Sequence, residues 1–225
     1  MALPYRWQVL VMVVDSATPA VTAALVRVDD EVVVRAERVT VDARAHGELL
    51  APQIADALRE AGAGPGDLAA IVAGVGPGPF TGLRVGLVTA AAIGHALGIP
   101  TYGVCSLDAI GYAQPGRVLV ATDARRKEVY WAGYADGVRF TGPEVARPEA
   151  VPTEGYDRAV GDGAWRYSGV LGLSVTEHPR YPSAAALAQL AADRIRAKAV
   201  GEPLTPLYLR RPDATLPGRP KPALR

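Results

Sequence analysis

Apolar residues fall in two kinds of run along the 225-residue chain. The first kind is short and rich in β-branched residues. Trp7 to Val14, Val21 to Val28 and Val32 to Val39 are three such runs, parted by Asp15-Ser16-Ala17-Thr18-Pro19 and by Asp29-Asp30. Runs of this length between turn residues predict strands, and the short connections predict an antiparallel meander. The second kind repeats at three- and four-residue spacing. Between Asp42 and Ala61, the residues Leu50, Ile54, Ala57, Leu58 and Ala61 make one apolar face, which predicts a helix. Pro52 lies inside it and removes a helix hydrogen bond, so this helix is expected to start near Leu49 or to kink. Gly62 to Gly66 end it.

An apolar run from Ala69 to Ala73 follows, then Gly74-Val75-Gly76-Pro77-Gly78-Pro79-Phe80-Thr81-Gly82-Leu83-Arg84-Val85-Gly86. An Ala-rich segment, Val85 to Leu97, leads out to Gly98 and Pro100. That order predicts buried strand, glycine-rich turn and helix, with Thr81 as N-cap. A strand–turn–helix corner with bare backbone N–H groups suits an anion. The spacing fits neither a Walker loop, which needs Gly-Lys-Ser/Thr, nor the dinucleotide fingerprint. Two readings stand side by side for the turn. In one, Gly76, Gly78 and Thr81 touch a phosphate; in the other, the glycines only allow a tight turn and close helix packing. Asp15, Ser16 and Thr18 carry the same two readings, as phosphate contacts or as side chains that hold their own turn.

The pattern then begins again. Val118 to Thr122 and Glu128 to Tyr134 read as strands around the turn Asp123 to Lys127, so Asp123 repeats the place of Asp15 and joins the candidate nucleotide contacts. Ser183 to Val200 reads as an amphipathic helix. Residues 1–112 are therefore expected to form a β-β-β-α-β-α lobe, 113–211 a reduced second lobe, and 212–225, with four prolines, a loose tail.

Composition narrows the function. The chain is 49% hydrophobic and 21% charged, which suits a packed core. A single cysteine, Cys105, excludes an internal disulfide and fits a reducing, cytoplasmic setting. The early run Val9 to Val14 is too short to cross a membrane, and no secretory leader pattern precedes it, so no membrane partner is expected. Residues 1–112 hold 7 Arg against 11 Asp/Glu, whereas 113–225 hold 17 Lys/Arg against 12 Asp/Glu. The tail residues Arg210, Arg211, Arg219, Lys221 and Arg225 face only Asp213 in charge. This basic half suits either weak RNA contact or a solvated surface.

The wording Gly-Pro-Gly-Pro-Phe-Thr-Gly-Leu-Arg-Val-Gly at 76–86 resembles the signature of the TsaB family, partner subunits of a bacterial tRNA threonylcarbamoyltransferase. Pro79 stands where that family usually has Ser. The run Ala121 to Tyr130 and the segment Pro206-Leu207-Tyr208-Leu209-Arg210, which resembles a closing strand, extend the likeness. The resemblance implies an α/β, two-lobed actin-like (Hsp70/sugar-kinase) ATPase fold. It also implies a TsaD-like catalytic subunit as heterodimer partner, a TsaE-like P-loop ATPase, a synthase supplying threonylcarbamoyl-adenylate, and tRNA reached through the complex. A homodimer is expected when the chain is alone. No cofactor is expected on the chain by itself, with ATP or ADP bound in the assembled complex.

The catalytic relative carries two metal-binding histidines in an Asn-His-x-x-Gly-His context after a strand that matches Pro100 to Val104. Here Cys105-Ser106-Leu107-Asp108-Ala109-Ile110 follows, without histidine. The whole chain has only His46, His95 and His178, with no His-x-x-x-His pair, against about three ligands for a catalytic zinc. The expected role is therefore a non-catalytic subunit without metal. A stand-alone ATPase or small-molecule phosphotransferase is the alternative, and a metallopeptidase finds no ligands.

Gly82, Gly86, Ala90 and Gly94 recur every four residues and make a stripe almost without side chains. Leu83, Leu87 and Ala91 beside it suffice to meet the sheet. The stripe is therefore expected to be left for another surface, and the family resemblance implies a bundle with the partner built from residues 46–61 and 80–97. Leu49, Leu50, Gln53, Ala57 and Arg84 complete that expected partner interface.

Overall fold

A computed structural model describes residues 9–210. The first three strands are β1 (Leu10–Asp15), β2 (Ala20–Val28) and β3 (Val32–Val41), an antiparallel meander. Helix α1 (His46–Glu60) follows, then β4 (Leu68–Gly74), helix α2 (Phe80–Leu97) and β5 (Thr101–Val104). Strands β4 and β5 add in parallel beyond β1, giving the sheet order β3-β2-β1-β4-β5. After the short helix α3 (Ser106–Gly111) come β6 (Arg117–Asp123), β7 (Val129–Ala135), β8 (Val138–Ala146) and β9 (Arg158–Val160). They form a second sheet, β8-β7-β6-β9, again a meander with one parallel strand beyond its first. Short helices α4 (Asp162–Arg166) and α5 (Ser168–Leu171) and the long α6 (Ala184–Arg196) complete the order.

Strand alternation decides the layers. On β1, Met12 and Val14 pack with Leu50, Ile54 and Leu58 of α1 and with Leu83, Leu87 and Ala90 of α2. Val11 and Val13 point the other way, against Ala184, Leu187, Ala188, Ala191 and Ile195 of α6. Sheet one is thus covered on both faces, which is why β1 reads as an unbroken apolar run and β2 is broken only by Thr22 and Arg27. In sheet two, Val118, Val120, Tyr130 and Tyr134 meet Cys105, Leu107 and Ile110, while Leu119, Ala121 and Trp131 meet Ala164 and Leu171.

Several expectations shift. Helix α1 begins at His46, not near Leu49, and holds Pro52 in its interior. Pro52 lies on the exposed side, where water can serve the carbonyl that loses its donor. Helix α2 starts at Phe80, with Pro79 at its cap position and no side-chain cap; Thr81 is exposed in the first turn. Gly98 ends α2 in the left-handed conformation at φ 65°. By length and mean hydropathy, 1.3, α2 would also pass for a membrane-crossing helix; here its inner side lies on sheet one. Helix α6 is shorter than Ser183 to Val200, and Ser183 caps it by accepting from Ala186 N at 3.2 Å. The stretch from Pro206 to Arg210 forms no strand. Leu207 N donates to Val75 O at 2.9 Å, but Pro203 and Pro206 lack the donors a ladder requires. The division at residue 112 does not follow the layers either, because α6 returns from beyond it to sheet one and α3 before it fills the core of sheet two. Trp7 and the tail 211–225 lie outside the described residues.

Candidate functional site

The end of β1, the glycine turn and the start of α3 meet at Asp15, which is 1% exposed. Strands β1 and β4 pair in parallel, Val14 opposite Ala73, so Asp15 lies against Gly74. A Cβ at Gly74 would sit 1.7 Å from Asp15 Oδ2; only glycine leaves room there. Ser106 Oγ donates to Asp15 Oδ2 at 2.6 Å and accepts from Gly76 N at 3.3 Å. Ala17 N donates to Asp15 Oδ1 at 3.0 Å. Burial pushes the Asp15 carboxyl up to about 6, against the opposing pull of Ser106, Ala17 and His46.

Ser16 uses the stripe on α2. Its hydroxyl donates to Gly82 O at 2.8 Å and accepts from Gly86 N at 2.9 Å. A Cβ on Gly86 would sit 2.4 Å from Ser16 Oγ, and one on Gly94 would sit 2.6 Å from Thr101 Cγ2. Ala90 is fully buried. The small-residue stripe therefore faces this chain's own sheet, and the expectation that it looks outward is corrected. At 100° per residue, Leu83, Gly86, Leu87, Ala90 and Gly94 share an arc of about 100°, so bare and large positions belong to the same inner face. Ala91, expected beside them, is exposed. Of the other expected interface residues, Leu50, Gln53 and Ala57 are buried in the core, Leu49 is half-buried, and Arg84 is exposed. Gln53 Nε2 donates to Thr40 Oγ1 at 2.7 Å.

Thr18 Oγ1 accepts from Ala20 N at 3.2 Å, and Thr18 O accepts from His46 Nε2 at 2.9 Å. Gly78 allows a close backbone approach, since its Cβ would sit 2.3 Å from Ala17 O. Tyr130 donates its hydroxyl to Gly78 O at 3.3 Å. Gly76 takes φ 94°, and Gly74, Gly76 and Gly78 are all buried, so the glycines serve tight packing.

Asp123 Oδ2 pairs with Arg166 Nη1 at 3.0 Å, and its Oδ1 accepts from Arg125 N at 3.3 Å. Asp162 Oδ1 accepts from Asp123 N at 3.4 Å, and burial pushes the Asp162 carboxyl up to about 6. Ser16, Thr18 and Asp123 do converge, on a crevice of about 40 Å³ that Gly82, His46 and Arg125 also line. Asp15, Gly76, Gly78 and Thr81 do not line it. Ligand pockets typically enclose about 300–1,000 Å³, several times the volume of this crevice. His46 and Arg125 escaped the sequence reading as members of this crevice, because they come from separate segments and no spacing links them to Ser16. A cavity of about 680 Å³ at the far end of sheet one, by Val28, Tyr102 and Ile195, contains none of the candidates. Among the described residues, no three of His, Cys, Asp and Glu are grouped to hold a metal.

A family model described as "TsaD: tRNA N6-adenosine threonylcarbamoyltransferase" matches residues 35–213. An uncharacterized protein of Mycobacterium tuberculosis is 55% identical over 204 residues, 91% of this chain and 93% of that protein. The tRNA threonylcarbamoyladenosine biosynthesis protein TsaB of Escherichia coli is 35% identical over 129 residues, which span 55% of this chain and 54% of that protein. Among solved structures, YeaZ from Pseudomonas aeruginosa superposes with a TM-score of 0.73 at 28% identity, covering 89% of this chain and all (100%) of that one. The overall fold thus recurs on a relative of known structure. The chain belongs to the family described as TsaD, tRNA N6-adenosine threonylcarbamoyltransferase, and is a TsaB-like member of it.

Proposed function

We propose that this chain is a non-catalytic subunit that binds a TsaD-like catalytic protein and supports threonylcarbamoyl transfer to the adenosine beside the tRNA anticodon. The family match and the TsaB relatives support a role in making threonylcarbamoyladenosine. The observation that carries the partner role is the outer side of α2. Phe80 is 56% exposed and Val88 61%, with Arg84, Ala91 and His95 on the same side. An apolar side this open on a long helix suits a second helix pair. With Leu49, Ala51 and Pro52 of α1 it forms the proposed bundle, entered by the side opposite the stripe.

The scattered histidines support the non-catalytic reading. His46 is spent on Thr18 O, His95 lies on the outer side of α2, and His178 is exposed before Pro179. Further partners follow from the same reading: a TsaE-like ATPase, tRNA held by the complex, and a second copy of this chain when the catalytic subunit is absent. ATP or ADP binds in the assembled complex, and the setting is cytoplasmic. The actin-like two-lobe description fits the repeated meander-plus-parallel-strand topology of the two sheets. The test is co-expression with the TsaD-like protein of the same organism, followed by tRNA modification in vitro. The reading predicts a co-purifying complex and little product without this chain; full product without it overturns the reading.

A further inference from the structure

The β6–β7 turn puts three cations where stability would choose other residues. Arg125, Arg126 and Lys127 have φ of 60°, 52° and 61°. Left-handed positions in hairpin turns ordinarily fall to Asn, Asp or Gly, because a larger side chain crowds its own backbone there. All three residues are exposed. More cations gather around the turn. Arg125 Nη2 reaches Ala43 O at 3.4 Å, which sets exposed Arg44 beside it, and Arg210 Nη2 reaches Arg125 O at 3.4 Å. Two of the nearby acids are engaged by other cations: Asp123 with Arg166, and Glu128 with Arg210. An aromatic platform adjoins this patch. Trp165, next to Arg166 on α4, is 54% exposed, and the Arg180 guanidinium lies 4.2 Å from its ring centroid. Helix α4 packs on β6, since a Cβ on Gly163 would sit 2.6 Å from the Thr122 backbone.

From this juxtaposition we propose that the β6–β7 turn and Trp165 form a surface of this chain that binds single-stranded RNA in a loop. The cations contact phosphates and Trp165 stacks on an unpaired base. Phosphate contacts supply affinity without sequence preference. A base stacks on an aromatic ring only where the strand is unpaired, as in a hairpin loop. The proposal deepens the reading above, because it gives this chain its own share of tRNA contact, near the anticodon loop where the transfer occurs.

The test measures binding of a fluorescein-labelled RNA hairpin with an anticodon-arm sequence, by the full chain alone and by its complex with the catalytic subunit, across a salt series. Arg125→Ala with Lys127→Ala is expected to weaken binding about tenfold at low salt and to lower the log–log salt slope by about 2. Trp165→Ala is expected to cost about tenfold with the slope unchanged. Lys127→Gly separates the role from mere folding: it is expected to raise the melting temperature, by relieving the left-handed backbone, while weakening RNA binding. Arg35→Glu with Arg147→Glu, exposed cations elsewhere, is the control. Unchanged affinity and slope in the turn and Trp165 variants overturn the proposal, as does an equal loss in the control. If the complex assembles but these variants bind RNA like the parent, this inference fails and the partner reading stands. If the hairpin binds as described but no complex forms, the partner reading alone fails.

Discussion

Burial lifts the Asp15 carboxyl to about 6 from 3.8 in the open chain. Between those values the folded protein holds a proton that the unfolded one releases, so this group stabilises the fold at low pH and the gain is lost as pH rises through about 6. The shift corresponds to on the order of 3 kcal/mol. Asp15→Asn keeps the shape and removes the titration. Its stability relative to the parent, from urea midpoints at pH 4.5 and 7.5, is expected to improve toward the higher pH by about 2 kcal/mol. A difference that stays flat with pH would refute the assignment. Gly86 makes a second residue-scale case. Gly86→Ala pushes a methyl to 2.4 Å from Ser16 Oγ and is expected to cost about 1–3 kcal/mol by thermal melting. Cys105 is 8% exposed, and burial pushes its thiol up to about 11. Alkylation by iodoacetamide at neutral pH is expected only after denaturant is added.

Helix α2 shows how two sides of one element answer to different demands. Ala90 is fully buried and Val88 is 61% exposed, two residues apart. Ala90→Glu places a carboxylate in the core and is expected to unfold the chain. Val88→Glu is expected to leave circular dichroism and melting unchanged, yet to abolish both self-pairing and capture of the catalytic subunit by size exclusion and pull-down. Normal association of the Val88 variant would move the interface off this helix. Element types were readable in the sequence because β1, β2 and β4 are buried on both faces and are almost wholly apolar. The direction of the stripe was not. Gly86 and Ala90 read equally well as room for a foreign helix or as room for Ser16, and only the contact across 70 residues decides. Thr81 failed as a cap for a local reason: the helix already begins at Phe80. The crevice residues His46 and Arg125 carried no sequence signal, since sequence spacing is blind to segments that meet only after folding.

At the scale of the whole molecule, α6 closes the face of sheet one opposite α1 and α2. Its C-terminal Arg196 donates from Nε to Asp29 O at 2.6 Å, across 167 positions. Until α6 arrives, Val11, Val13, Ala24, Val26 and Tyr102 present an uncovered apolar face. During synthesis that is most of the chain's length, so the first sheet emerges from the ribosome long before its cover does. The amino-terminal half is an orphan for that interval, a client for chaperones rather than an early-finished domain. Cutting the gene between Tyr112 and Arg117 and expressing the two pieces separately should accordingly give an insoluble first piece, rescued by co-expression of the second. The first sheet is in effect sealed by α6, and its assembly waits until residues 184–196 have been made.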